Sequence, residues 1–412
     1  MRARERRGIR RLGAIVLALL LGGAWGAAAQ TPFVLTGVGQ RLDAGDARMA
    51  ARGHWGMAVT DSLHPGFKNI ASLSGLEHVA LLFTGQGERV DSTSDTQVRR
   101  TFRTYAPEIR VGLPAWKGRL AVTAGYRVDR SLQYTTTRNM TWYTWADTLT
   151  GNEQFQREGT LFEVPLGVAF APVRGLSLGV TLGLARGTVR ETFSQFFVEP
   201  SGANGVPFYG TNRREQVDEL DGTAWTWSLL WSGWDVLQLG ASYTPAYDLD
   251  LKRKISAYGV AQRGYADLTV EMPDEWRAGL QLRLGERWRL GGDAQYQAYS
   301  GFWGLGQPDT KTIDEYTVGF GFERVQAHVR HGGTSNLPLR FGAQIRQWGY
   351  EVGGNPIEEK TFTLGTGFPF RENLGQLDVA VSYGKVGSLA KNGMESDVWR
   401  LTISVTGLER WW

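Results

Sequence analysis

From about Leu76 to the end of the chain, apolar residues recur at every second position. That period constrains the fold more than any other feature, because only an extended strand sets alternate side chains on one face. In the final stretch Trp399, Leu401, Ile403 and Val405 share one face, and Arg400, Thr402, Ser404 and Thr406 share the other. Trp276, Ala278, Leu280, Leu282 and Leu284 alternate with Arg277, Gly279, Gln281 and Arg283; Leu377, Val379, Val381 and Tyr383 alternate with Asp378, Ala380, Ser382 and Gly384. A soluble sandwich would bury such an apolar face, whereas a transmembrane barrel turns it toward lipid and lines its lumen with the polar face.

Export without disulfides, together with aromatic residues clustered at strand ends, favours the barrel. Six arginines between Arg2 and Arg11, an apolar run from Leu12 to Leu21 and the small residues Ala27-Ala28-Ala29 have the layout of an export signal over residues 1–29, with cleavage expected before Gln30. Removing that segment, with its six arginines and Glu5, takes the formal charge from +4 to about −1. The basic balance belongs to the leader, so nucleic acid is not an expected partner. Cysteine is absent, which excludes disulfides, thiol nucleophiles and Cys-based metal sites.

Strands are expected near 76–86, 98–113, 119–133, 157–171, 175–191, 216–232, 235–247, 272–285, 287–299, 313–325, 336–347, 359–370, 375–387 and 397–411. That is fourteen, an even number. Each is near or above the roughly 9–11 residues of a tilted crossing. Long connections alternate with tight ones, as in a barrel with both termini in the periplasm; the connection Gln326 to Ser335 breaks that rule. The chain ends Leu408-Glu409-Arg410-Trp411-Trp412. Trp411 is in phase with the last strand; Trp412 is not, unless a bulge near Gly407 shifts the frame. The expected fold is all-β, a 14-stranded antiparallel transmembrane barrel over residues 76–412.

Residues 30–75 alternate poorly and have no place in the wall. A barrel of this width needs filling or leaves a channel, so the economical place for them is inside, as a hatch. Here the chain reads Ala50-Ala51-Arg52-Gly53-His54-Trp55-Gly56-Met57-Ala58-Val59-Thr60-Asp61 and then Asn69-Ile70-Ala71-Ser72-Leu73. Together with Met272-Pro273-Asp274-Glu275-Trp276 and the run from Leu339 to Trp412, these stretches resemble the FadL/TodX family of outer-membrane hydrophobic-compound transporters. Asn69, Ala71 and Leu73 match the family's Asn-Pro-Ala-x-Leu motif, with Ile70 standing where proline is usual; Gly53 and Gly56 complete the hatch stretch.

The resemblance implies an outer membrane of Gram-negative type, insertion by the barrel-assembly machinery, and passive uptake of hydrophobic small molecules such as long-chain fatty acids. It also implies a runner-up of another class, an accessory or scaffold barrel of a secretion system with a protein partner. A nonspecific porin would need an open lumen. Aromatic residues in the expected outer loops, among them Trp142, Trp145, Phe196, Phe197, Phe208, Phe302 and Trp303, are candidates for capturing an apolar ligand or for packing on one another. Arg277, Arg283, Arg340, Arg346 and Arg400, recurring with Asp293, Glu323 and Asp378 on inward positions, could hold a fatty-acid carboxylate or form a bracing salt-bridge network. No enzyme chemistry, cofactor or metal is expected: the histidines are His54, His64, His78, His328 and His331, and no phosphate loop or HExxH occurs.

Overall fold

In the computed structural model, the described residues are 30–35, 39–43, 45–60, 67–95, 97–143, 148–198, 212–257, 260–264, 267–301, 311–325, 337–370 and 374–409. Fourteen wall strands close into one antiparallel barrel. They are β1 Val79–Ser94, β2 Val98–Trp116, β3 Leu120–Tyr143, β4 Thr148–Val173, β5 Leu176–Val198 and β6 Asn212–Trp231. β7 comprises Leu237–Thr244 and Tyr247–Ala257; β8 comprises Val260–Gly264, Leu268–Met272 and Glu275–Leu284. The rest are β9 Trp288–Gln297, β10 Glu315–Arg324, β11 Leu339–Val352, β12 Asn355–Phe370, β13 Gly375–Ser388 and β14 Met394–Glu409. The ring closes where β14 pairs with β1 from Met394 opposite Ser94 to Glu409 opposite Val79.

The two faces of the wall follow the sequence period. Trp276, Leu280, Leu284, Phe320, Phe362, Trp399 and Leu401 are exposed on the outside, while Gln281, Thr402 and Ser404 are buried inside. Aromatic pairs mark both edges of the apolar band: Tyr243 with Trp276 and Tyr383 with Trp399 at the outer rim, Trp288 with Phe322 and Trp231 with Trp234 at the periplasmic rim. Trp288 and Tyr296 lie on opposite rims of β9, about 27 Å of strand apart at ~3.4 Å per residue, which suits a tilted crossing of the hydrocarbon layer.

The outer connections need correction. Much of 87–97, 134–156 and 192–215 is not loop but strand, and β3 to β6 run 20 to 26 residues each. Above the lipid the apolar alternation stops while the ladder continues, so a reading keyed to lipid-facing residues ends the strands too early. Gln326 to Ser335 lies outside the described residues, as do the leader, His64, His328, His331, Trp411 and Trp412.

The N-terminal segment fills the lumen. Its described residues include a short 3-10 turn Pro32–Leu35, a two-residue strand Gln40–Arg41, a helical turn Ala47–Ala50, a 3-10 helix Ile70–Gly75 and an irregular stretch in which Trp55, Met57, Ala58 and Val59 are fully buried. Irregular backbone at membrane depth is tolerated because the surrounding wall supplies its hydrogen-bond partners.

Candidate functional site

Strands β9 to β14 and β1 present the hatch with a bed of charges. Glu323 of β10 accepts from three arginines: Arg48 (2.8 Å) and Arg52 (2.7 Å) of the hatch and Arg340 (2.9 Å) of β11. Arg340 reaches on to Asp378 of β13 at 2.6 Å. Arg346 of β11 binds Asp43 of the hatch, and Arg400 of β14 joins Glu88 (2.7 Å) and Glu359 (2.9 Å). Asp293 of β9 accepts from the main-chain N–H of Gly56 at 2.7 Å and of Met57 at 3.0 Å, and pairs with Lys68 at 3.0 Å. Burial pushes the His54 imidazole down to about 4, against the opposing pull of Asp43, so at neutral pH it stands uncharged among these groups.

Close approach of main chains makes the bed possible. A Cβ on Gly319 would lie 1.9 Å from the carbonyl oxygen of Gly53, and one on Gly342 2.1 Å from its nitrogen. Gly53 itself has φ +70 and faces the carbonyls of Phe320 and Ala343 at distances no side chain could share. Gly240 likewise receives Met57. At the periplasmic end Asn69 caps the 3-10 helix by accepting from the Ala71 N–H, and its amide donates to the carbonyls of Met57 (2.7 Å) and Leu229 (3.0 Å). Leu73 packs with Phe67, Ile70, Leu76 and Leu82 beneath it.

The opposite side of the lumen differs. Inward residues of β3 to β8, namely Leu132, Leu161, Val189, Leu220, Leu251 and Val270 with their neighbours, form an apolar band in the outer half, joined by Tyr299. Below it Arg41 of the hatch meets Glu275 directly and lies 3.6 Å from Glu315; Arg127 pairs with Glu163 at 2.5 Å, and Arg277 with Glu275. Arg41, Arg127, Glu163, Glu275 and Arg277 line a cavity of about 40 Å³, room for a few waters.

The sequence profile of the BamG family matches residues 9–412, nearly the whole chain. The chain belongs to the BamG family. No curated protein sequence matches it. Among solved structures, this BamG-family barrel is similar to a Pseudomonas aeruginosa FadL homologue, with a TM-score of 0.59 and 12% identity over 90% of this chain and 99% of that one. It is similar to the Ralstonia pickettii toluene transporter TbuX (0.57, 16%, 91% and 100%) and to the Pseudomonas putida toluene transporter TodX (0.56, 14%, 91% and 100%). At such identities the likeness is one of fold: a FadL-type barrel of the Gram-negative outer membrane.

The predicted positions separate in the BamG-family barrel. Arg340, Arg346 and Arg400 meet the hatch bed; Arg283 donates to Thr60 Oγ1 at 2.6 Å, and Arg277 sits under the apolar band. Trp142, Phe196 and Phe197 are not on loops but on the tips of β3 and β5, where Trp142 and Phe197 meet edge-on at 5.0 Å. They lie there because the hairpins continue above the membrane. Trp145, Phe208, Phe302 and Trp303 lie outside the described residues. Among the described residues no group of His, Asp or Glu is arranged to hold a metal ion. Sequence reasoning missed Arg48, Arg52, Asp43 and the inward glycines; the readable signal was glycine at inward parity, as in Gly319 and Gly321.

Proposed function

We propose that this barrel is a FadL-type outer-membrane channel for uncharged hydrophobic small molecules, taken up passively. The observation that supports this reading is the apolar band on β3 to β8, because a lumen built only to conduct ions or to hold a polar hatch gains nothing from turning Leu161, Leu220 and Leu251 inward. The arginines beneath the band favour a neutral ligand over a fatty acid: Arg41, Arg127 and Arg277 each have a carboxylate already, and a ligand carboxylate would have to displace one from a buried site.

One observation favours a second reading, an accessory or scaffold barrel of an outer-membrane assembly. The hatch is held by charge-assisted bonds from several strands, and the cavity under the apolar band is water-sized. Mass spectrometry of the protein extracted from its own outer membrane in mild detergent separates the two. A stoichiometric neutral apolar molecule, lost in Leu251→Asn, supports uptake; an empty barrel with a recurrent protein partner overturns it in favour of the scaffold.

A further inference from the structure

Among the described residues, the pairing of β2 with β3 stops partway up the wall. These strands pair from Glu108 opposite Arg127 to Trp116 opposite Leu120, and then part. β3 bulges between Val128 and Arg130, and β2 slips register against β1 between Glu108 and Tyr105. Above this point residues 98–107 of β2 pair on the β1 side alone among the described residues, leaving a slot between the two strands.

The lower end of the slot already holds an added strand, the protein's own. Gln40 and Arg41 pair antiparallel with Ser131 and Arg130, the Leu42 N–H donates to the Asp129 carbonyl at 2.8 Å, and the Gln30 N–H donates to the Gln133 carbonyl at 2.6 Å. From Tyr134 to Tyr143 the same edge of β3 has, among the described residues, no main-chain partner. Its side chains are exposed at Thr137, Arg138, Asn139, Thr141 and Tyr143. A free edge of that length outside the membrane is what native sheets ordinarily pair, cover or blunt.

Which groups are free follows from the ladder. Gln133 accepts through its carbonyl from the slot side, and so does Thr135, from the Arg99 guanidinium. In a strand the N–H and C=O of one residue point the same way and alternate along the chain. Thr135, Thr137, Asn139, Thr141 and Tyr143 therefore aim their main-chain groups into the slot, and the even-numbered residues aim theirs at β4.

Charge indicates what fits. Arg100, Arg103 and Arg138 on the slot's lips each have a carboxylate, from Asp91 (2.6 Å), Glu88 (2.8 Å) and Glu153 (2.7 Å). Arg99, stacked over the Tyr134 ring at 5.1 Å, has none among the described residues. A second copy of the chain is a poor occupant, since in one membrane both copies of β3 run outward and a twofold axis along the membrane normal gives no antiparallel pairing.

We propose that the slot between β2 and β3 is a strand-addition site, taking an extended, acidic segment of a partner polypeptide onto the Thr137–Tyr143 edge, beyond the chain's own Gln40–Arg41. Main-chain bonds would supply affinity and Arg99 the preference for acid. This inference is independent of whether the lumen carries a ligand.

Residue-resolved amide exchange, compared between the full-length protein in its native outer membrane and the purified protein, tests it. The Thr137, Asn139 and Thr141 amides should exchange at least tenfold more slowly in the native membrane, with the amides of Arg138 and Met140 slow in both. A photo-crosslinker at Thr141 should join one extended, acidic stretch of a single partner. Thr137→Pro with Asn139→Pro should abolish that crosslink, Thr137→Ser with Asn139→Ser should keep it, and Arg99→Gln should lower its yield severalfold. Fast exchange of the odd-numbered amides in both states, protection of them in both states, or crosslinks scattered over many proteins would each overturn the proposal. Should the proline pair fail to fold, the exchange comparison and Arg99→Gln still decide.

Discussion

The two sides of the lumen solve opposite problems with one strand pattern. On β9 to β14 the inward positions at mid-wall are charged residues and glycines, and the hatch lies against them main chain to main chain, while above them Trp348, Tyr350, Ile357, Val386 and Val398 pack with Phe33 and Val34 of the hatch. On β3 to β8 the inward positions of the outer half are leucine and valine, and Arg41 is the hatch's ionic contact at their floor. Orientation explains why the first side can be so polar: each buried charge there meets an opposite charge or a main-chain N–H, and paired charge is tolerated where isolated charge is not. The hatch is thus fastened mainly by clustered charge on the first flank, and on the other mainly by main-chain pairing and amide or hydroxyl bonds.

The largest effect that would break this contrast is expected from Glu323→Gln. It leaves Arg48, Arg52 and Arg340 sharing a neutral amide, and removing one partner from a buried ionic cluster costs on the order of 3–5 kcal/mol. The hatch should loosen, and planar-bilayer recordings should show ion conductance well above that of the parent; an unchanged trace would mean that the cluster does not hold the hatch. Gly319→Ala, which drives a methyl group into the Gly53 carbonyl, should act in the same direction at roughly 1–3 kcal/mol, read as faster amide exchange over residues 47–57. Asn69→Ala removes a cap and two amide bonds at the periplasmic end, and should cost about 1–2 kcal/mol, read as faster exchange over Ile70–Gly75.

A change on the apolar side sharpens the contrast instead. Leu220→Asn should leave conductance at the parental level while weakening retention of a neutral apolar probe such as toluene. Loss of both together would show that the two flanks are mechanically one. The smallest effect is expected from Trp142→Ala, which forfeits an edge-on aromatic contact with Phe197 worth about 0.5–1.5 kcal/mol at a hairpin tip, visible as local fraying of β3.

The wall was legible because lipid on one face and polar lumen on the other impose a strict period of two. Trp399 to Thr406 point as that period requires. Strand length was not legible where that contrast ends: Thr135, Thr136, Thr137 and Arg138 face water or other polar groups on both sides, yet the ladder runs through them to Tyr143. The hatch could be inferred as chain without a place in the wall, and Asn69 could be read from its motif. Its partners could not. Arg48 and Glu323 stand 275 residues apart, and nothing local in either segment names the other. The slot was hidden for a similar reason, since β2 and β3 alternate as well as any neighbouring pair and part only through a bulge.

The seam between β1 and β14 has a consequence for the order of events during biogenesis. First and last strands join along sixteen residues, so the cylinder becomes a closed surface only when the C-terminus arrives. The hatch contacts strands spread around the ring, at Ser131 of β3, Leu229 of β6, Gln238 of β7, Asp293 of β9, Glu323 of β10 and Ser404 of β14. A folded polar body cannot be threaded afterwards through a ring whose outer surface is already solvated by lipid. The wall must therefore be wrapped around its filling while the seam is open, and the last strand to be synthesised is the one that locks the first segment in.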